Sequence, residues 1–229
     1  MQTEYFTIDQ IPAVLYGEPA ERVYLFLHGQ MGRKEEAEAF AQAACPKGYQ
    51  VLSIDLPGHG ERYERGEELA PWTAVPDIRA AVRWTADRWR SLSLRANSIG
   101  AYFAMLAIDA PDRALLVSPI LDMERLILDR MGWAGVTEER LREQGEIAVP
   151  FGPALSWAYL CWVRTHPVHS WTCPIHILYG RRDNMTSLQT AEAYARRHRA
   201  QLTVAEEGEH WFHTAAQLAA LGAWEEASA

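Results

Sequence analysis

Ala96-Asn97-Ser98-Ile99-Gly100 lies between an extended run, Ser91 to Arg95, and an apolar run with helical spacing, Tyr102 to Ala110. A serine with small residues two positions away on each side, at a strand-to-helix junction, is the pattern of a nucleophile elbow. The turn is so sharp that bulky flanking side chains would collide with their neighbours. It also lifts the serine hydroxyl clear of the strand ends, where a substrate can reach it. The first flanking residue is Ala96 rather than glycine, so the motif is read together with its surroundings.

Outward from the elbow, strand-like and helix-like stretches alternate. Val23 to Leu27 is a continuous apolar run ending at His28-Gly29, the type of run found in strands buried on both faces of a parallel sheet. Gln50 to Leu56 is closed by Pro57-Gly58-His59-Gly60, Ala114 to Val117 by Ser118-Pro119, and Ile175 to Tyr179 by Gly180. Leu202 to Ala205 is a last strand, and Tyr5 to Ile8 with Ala13 to Tyr16 reads as a hairpin around Pro12. Helical spacing marks Lys34 to Ala44, Asp77 to Trp89, the run from Ser98, Leu188 to Arg199 and a closing helix from Trp211 to Trp224. This alternation predicts an α/β protein with a mostly parallel central sheet and helices on both faces. The rhythm breaks at about residues 120–172, which is too long for a loop when most connections run about 4 to 6 residues. We read 1–229 as one domain with a small helical insertion there, packed over the sheet edge.

The chain has 229 residues, enough for one domain with a sizeable core. Its formal net charge of -8 argues against nucleic acid as a partner. Met1 to Gln10 carries Glu4 and Asp9 and no apolar core, so no signal peptide is expected. No stretch approaches the roughly 18 apolar residues of a membrane span. Cys45, Cys161 and Cys173 are three in number with no CxxC spacing, which points to a reducing cytoplasm and away from disulfides or a zinc site. The eight histidines show no HExxH pattern, so no metal is expected.

A serine hydroxyl is a weak nucleophile at neutral pH. It needs a base within hydrogen-bond reach, and the base needs an orienting carboxylate. Asp183 follows one apolar strand, in Tyr179-Gly180-Arg181-Arg182-Asp183. His210 follows the next, in Gly208-Glu209-His210. Ser98, Asp183 and His210 thus all lie beyond the C-terminal ends of predicted strands, where open α/β sheets place their ligands. The oxyanion needs backbone N–H donors. Ile99, next to the nucleophile, is one candidate. Gln30, in His28-Gly29-Gln30-Met31-Gly32, is the second, with Met31 possible.

On Leu27-His28-Gly29, Asp55-Leu56-Pro57-Gly58-His59-Gly60, the elbow, Gly180 to Asp183 and Gly208 to His210, the chain resembles the α/β-hydrolase superfamily over nearly its whole length. The Asp-x-Pro-Gly-His-Gly turn is similar to that of esterases, monoacylglycerol-lipase-like enzymes and serine aminopeptidase-like enzymes. The resemblance implies a cofactor-free hydrolase of an ester, thioester or amide, with a cap inserted after the sixth strand. It also implies that His28 and His59 steady loops through hydrogen bonds, and that Asp183 rather than Asp122 is the acid. Arg95 departs from the pattern, because that strand position is ordinarily small or apolar, and a buried arginine needs a partner.

Several residues have plainer competing roles. His213 competes with His210 but falls in the expected closing helix. His166 and His169 read as turn residues, and Glu61 to Glu68 as a solvated loop. Trp133, Trp157, Tyr159, Trp162 and Trp171 are available to line an apolar acyl pocket, with packing the default for each. Trp157 and Trp162 are the substrate-contact candidates, together with Met31; they do not share an i, i+4 face. The leading expectation is a monomeric or homodimeric serine hydrolase acting on a small acyl substrate, a short-to-medium-chain carboxylic ester. Thioesterase and aminopeptidase activity use the same residues, the latter needing acidic groups such as Glu138, Glu139, Glu143 or Glu146. A non-catalytic small-ligand receptor is the reading from another class.

Overall fold

The computed structural model describes residues 1–229. Ten strands follow in chain order: β1 (Thr3–Ile8), β2 (Ile11–Tyr16), β3 (Arg22–Leu27), β4 (Tyr49–Ile54), β5 (Ser91–Asn97), β6 (Ala114–Val117), β7 (Glu146–Ile147), β8 (Leu155–Ser156), β9 (Ile175–Gly180) and β10 (Gln201–Ala205). The eight α-helices are α1 (Ala37–Ala44), α2 (Pro71–Ala86), α3 (Ser98–Ala107), α4 (Met123–Trp133), α5 (Glu138–Gln144), α6 (Trp157–Thr165), α7 (Leu188–His198) and α8 (Ala215–Ser228). They form two compact units, residues 1–121 with 169–229, and residues 122–168.

The first unit holds an eight-stranded sheet in the order β1-β2-β4-β3-β5-β6-β9-β10. β2 pairs antiparallel with β1 and β4, and every later pair is parallel. Asp9 and Gln10 turn the first hairpin with φ of 47° and 72°, the two-residue left-handed geometry that matches strand twist. The chain lays β4 on one side of β3 and β5 on the other. That reversal opens a crevice at the C-terminal ends of β3 and β5, the switch point where α/β sheets bind ligands.

Alternation along the strands fills both faces. Tyr24 and Phe26 of β3 join Val51, Leu115, Val117 and Leu178 in one cluster with Phe40 of α1 and Trp224 of α8. Val23, Leu25 and Leu27 project to the opposite face and are equally buried. On that face lie α2 and α3, whose buried residues include Ile78, Phe103 and Met105. The Tyr194 hydroxyl of α7 reaches Met105 Sδ at 3.4 Å, so α7 shares this layer.

Some boundaries differ from the sequence expectation, for local reasons. Lys34–Glu36 is a 3-10 turn ahead of α1. α2 starts at Pro71 rather than Asp77, because proline in a first turn has no N–H to waste. Pro76 sits inside the helix and forfeits one hydrogen bond. α8 starts at Ala215 rather than Trp211, because Thr214 caps it by accepting the Gln217 N–H at 3.3 Å. The Glu61 to Glu68 run is not a solvated loop throughout. Gly60–Arg65 forms a 3-10 helix, and Arg62 is buried. Its guanidinium meets Glu67 at 2.5 Å, Asp77 at 2.6 Å and the Asp55 carbonyl at 3.1 Å. Trp171 belongs to the first unit, where its Nε1 donates to the Ile108 carbonyl at 2.7 Å.

The second unit contains α4, α5, α6 and a small hairpin in which β7 and β8 pair only with each other. Arg164 of α6 ties the helices together, bonding Glu124 of α4 and both carboxylate oxygens of Glu138 of α5, each at 2.7 Å. No helix in the chain is long and apolar enough to cross a membrane.

Candidate active site

β5 delivers Ser98 to the crevice at φ 47°, a left-handed backbone that non-glycine residues seldom adopt. Such a conformation costs about 1–3 kcal/mol and persists only where its surroundings over-determine it. One restraint is the Ile120 N–H, which donates to the Ser98 carbonyl at 3.2 Å. Another is the close approach of α3 to β3. A Cβ on Gly100 would overlap the His28 carbonyl oxygen and stand 3.0 Å from that of Leu27. Ala96 is fully buried, so its methyl in place of the usual hydrogen is absorbed by the core.

Ser98 Oγ lies 2.8 Å from His210 Nε2, and His210 Nδ1 lies 2.8 Å from Asp183 Oδ2. The histidine side chain is 17% exposed and the aspartate side chain fully buried. Asp183 Oδ1 accepts the N–H groups of Met185 at 2.7 Å and Thr186 at 3.0 Å. Each carboxylate oxygen therefore has a partner, and the carboxylate cannot swing away. A carboxylate only accepts, so Nδ1 carries the imidazole proton and Nε2 offers its lone pair to the serine hydroxyl. The two loops that bear these groups touch through glycines. A Cβ on Gly180 would come within 2.5 Å of the Glu209 carbonyl oxygen and 2.6 Å of Gly208.

The competing residues are occupied elsewhere. Asp122 caps α4 by accepting the Arg125 N–H at 2.9 Å. His213 precedes α8 rather than lying within it; its Nδ1–H donates to the Trp211 carbonyl at 2.8 Å and its ring stacks on Trp211. His169 is 3.2 Å from Asp109 through Nε2.

Gln30 and Met31 occupy a turn closed by the Gly32 N–H donating to the Gly29 carbonyl at 3.1 Å. Both are exposed, Met31 to 91% and with φ 64°. Ile99 is in the first turn of α3, where N–H groups have no acceptor within their own helix. The polar frame beneath this loop was only partly visible in the sequence. His28 is fully buried; its Nδ1–H donates to the Gly29 carbonyl at 2.7 Å and its Nε2 accepts the Leu56 N–H at 3.0 Å. Burial lowers its pKa to about 4, so the ring is neutral at pH 7. His59 Nδ1–H donates to the Pro57 carbonyl at 2.8 Å. Lys34, missed in the sequence, reaches Glu61 at 2.6 Å and Asp55 and Glu35 at 3.0 Å. Burial opposes its charge, but the bonds to Glu61, Asp55 and Glu35 outweigh that and raise its pKa above the lysine range. The available signal was Asp55 itself, a buried carboxylate in need of donors. Trp157 and Trp162 sit on α6 in the second unit, both half-buried, and the Trp162 ring stacks on His166 at 4.0 Å. No group of three or more His, Cys, Asp or Glu side chains is placed to hold a metal ion.

No curated protein sequence matches the chain. Among solved structures, Est1E from Butyrivibrio proteoclasticus with bound ferulic acid is 18% identical with a TM-score of 0.77, covering 98% of this chain and 96% of that one. Alpha/beta hydrolase domain-containing protein 10 from mouse is 14% identical with a TM-score of 0.72, with coverage of 98% and 96%. An esterase from Pyrococcus furiosus is 15% identical with a TM-score of 0.66, with coverage of 99% and 88%. At these identities the likeness is one of fold. Sequence adds the family: the model of the alpha/beta hydrolase family matches residues 24–221, a span holding the elbow, the acid turn and the histidine loop. With that match over a mostly parallel sheet whose strand order reverses beneath Ser98, the chain belongs to the alpha/beta hydrolase family.

Proposed function

We propose that the protein is a serine hydrolase that cleaves a small carboxylic ester through an acyl-enzyme intermediate. The observation that carries this reading is the unbroken line from Ser98 Oγ through the His210 ring to Asp183 Oδ2, with 2.8 Å at each junction. Ser98 Oγ bonds to the carbonyl carbon as its proton passes to His210 Nε2, and the carbonyl oxygen becomes an oxyanion. Asp183 stabilises the resulting imidazolium and keeps its tautomer. The Ile99 and Gln30 N–H groups are the proposed donors to the oxyanion. As the tetrahedral intermediate collapses, the C–O bond to the alcohol breaks and the leaving oxygen takes the proton from His210. Water, deprotonated by His210, then attacks the acyl carbon and releases the acid and Ser98.

The ester preference draws support from the Pyrococcus furiosus neighbour, which is named as an esterase, and from Est1E, which holds ferulic acid, a carboxylic acid. The same residues can serve a thioesterase. For the aminopeptidase reading, Glu138 is bound by Arg164, which leaves Glu139, Glu143 and Glu146 for a substrate amine. We read the unit of residues 122–168, which follows β6, as the insertion that the family resemblance implies. Three unpaired thiols, Cys45, Cys161 and Cys173, agree with a reducing compartment such as the cytoplasm.

A fluorophosphonate probe tests the assignment. The wild type is expected to label covalently and Ser98→Ala not at all. A wild type that stays unlabelled overturns the proposal in favour of a binding protein. A panel of p-nitrophenyl esters, acyl-CoA thioesters and aminoacyl amides then orders the substrate classes, with the esters expected first.

A further inference from the structure

Arg95 stands three residues before Ser98, in register with Phe26 of β3 and Leu115 of β6. These neighbours belong to the core cluster under α1 and α8, and Arg95 is itself only 1% exposed. An unpaired guanidinium there would be strongly destabilising. Glu225 of α8, 4% exposed, supplies the counter-charge, its Oε1 accepting from Nε at 2.9 Å and from Nη2 at 2.7 Å. The guanidinium carbon also lies 5.3 Å from the Phe26 ring centre and 5.8 Å from that of Phe40. Stability alone does not explain this pair, since apolar residues of the same volume commonly pack as well or better.

The third guanidinium nitrogen serves the elbow. Arg95 Nη1 donates to Asn97 Oδ1 at 2.6 Å. Asn97 immediately precedes Ser98, and its Cβ lies 3.7 Å from the point where a Cβ on Gly29 would stand. Gly29 opens the turn that carries Gln30. Ser98 Cβ lies 3.3 Å from the same point, so Asn97 and Ser98 together bring the start of α3 against the Gly29–Gly32 turn, the two segments bearing the proposed oxyanion donors. At the far end of that turn, the Glu36 carboxylate comes within 2.8 Å of where a Cβ on Gly32 would stand.

We propose that Arg95 is a positioning residue for the oxyanion hole. Through Asn97 it sets the elbow and the Gly29–Gly32 turn at a fixed separation, with Glu225 as the counter-ion that lets an arginine occupy the core. Arg95 touches neither substrate nor the reacting atoms. The inference rests on the serine-hydrolase reading above, and its tests are chosen to be separable from it. Removing a restraint on transition-state donors lowers kcat more than it raises KM.

Asn97→Ala breaks the link to the elbow while leaving the buried Arg95–Glu225 pair in place. The double variant Arg95→Met/Glu225→Leu removes both charges together, so that no unpaired charge is left in the core. Each is expected to lose about tenfold to a hundredfold in kcat, the scale of a small misplacement at a reacting centre, with KM changed less than about threefold. The Ki of a trifluoromethyl ketone, whose adduct with serine places an oxyanion in the same donors, should rise in parallel with the loss in kcat/KM. The melting temperature of Asn97→Ala should stay within a few degrees of wild type. A merely structural role would leave kcat per fluorophosphonate-titrated site and the inhibitor Ki unchanged. That result, in a wild type that labels and hydrolyses esters, overturns this proposal alone. Absence of labelling in the wild type overturns the hydrolase reading instead.

Discussion

His28 shows at the residue scale how one buried side chain steadies the loop after β3. It joins the Gly29 carbonyl to the Leu56 N–H, so its ring spans the ends of β3 and β4. Accepting the Leu56 N–H needs the neutral ring, and burial holds its pKa at about 4 against an ordinary 6.5, although the bond to the Gly29 carbonyl favours the protonated form. In the unfolded chain the ring takes up a proton as pH falls below about 6.5, while in the folded protein it does so only near 4. The stabilisation is therefore complete above pH 6.5 and is lost on the way down to about pH 4. At about 1.4 kcal/mol per pKa unit the loss amounts to roughly 3 kcal/mol. Denaturant titrations of wild type and His28→Gln at pH 7.5 and 4.5 check this. The variant should be less stable at pH 7.5 but lose less stability between the two pH values. Equal losses would show that His28 is not the titrating group. His28 and His59 stand in the sequence as loop-steadying residues by resemblance, but their bonding partners became visible only with the loops folded.

At the element scale, the elbow depends on α3 lying against the end of β3. The helix begins with three residues that pack differently. Ser98 faces the crevice, Ile99 is half-buried, and Gly100 presses on the Leu27 and His28 carbonyls. Gly100→Ala should push α3 away from β3 and destabilise the protein by about 2–4 kcal/mol, an overpacking effect compounded at the backbone. Thermal or denaturant unfolding measures it, and a change below about 0.5 kcal/mol would refute the close approach. The elbow was legible because its constraints are local. Small residues at fixed offsets from Ser98 are needed wherever a strand turns abruptly into a helix. The start of α8 was not legible in the same way. The periodic pattern runs back to Trp211, but Thr214 captures the Gln217 N–H and the helix begins after it, so Trp211 to Thr214 lie outside α8. Gln217, Trp224, Glu225 and Ser228 form the buried stripe of α8, at offsets of 0, 7, 8 and 11. A carboxylate on such a stripe was the one sequence trace of the partner of Arg95.

For the whole molecule, the sheet order ranks the strands by protection. β3 and β5 are flanked on both sides and β3 is almost wholly buried, whereas β1 is an exposed edge and β10 a half-buried one. Native-state hydrogen exchange should find the amides of β3, β5 and β6 opening only with global unfolding, and those of β1 and β10 at markedly lower free energy. Uniform protection across all eight strands would contradict this ranking. The sequence by itself determined the order of the eight sheet strands and of their flanking helices, and placed Ser98, Asp183 and His210 beyond strand ends. Apolar periodicity and glycine or proline punctuation are local properties that survive without knowledge of packing. The tertiary structure decided which charges meet. Arg95 and Glu225 are 130 residues apart, and Lys34 meets, besides its neighbour Glu35, Asp55 and Glu61 at separations of 21 and 27 residues. Such pairings follow from how α1 and α8 settle on the sheet and how the loops after β3 and β4 close on each other. No local pattern encodes that distance, because burying a charge becomes tolerable only when its partner arrives from elsewhere in the fold.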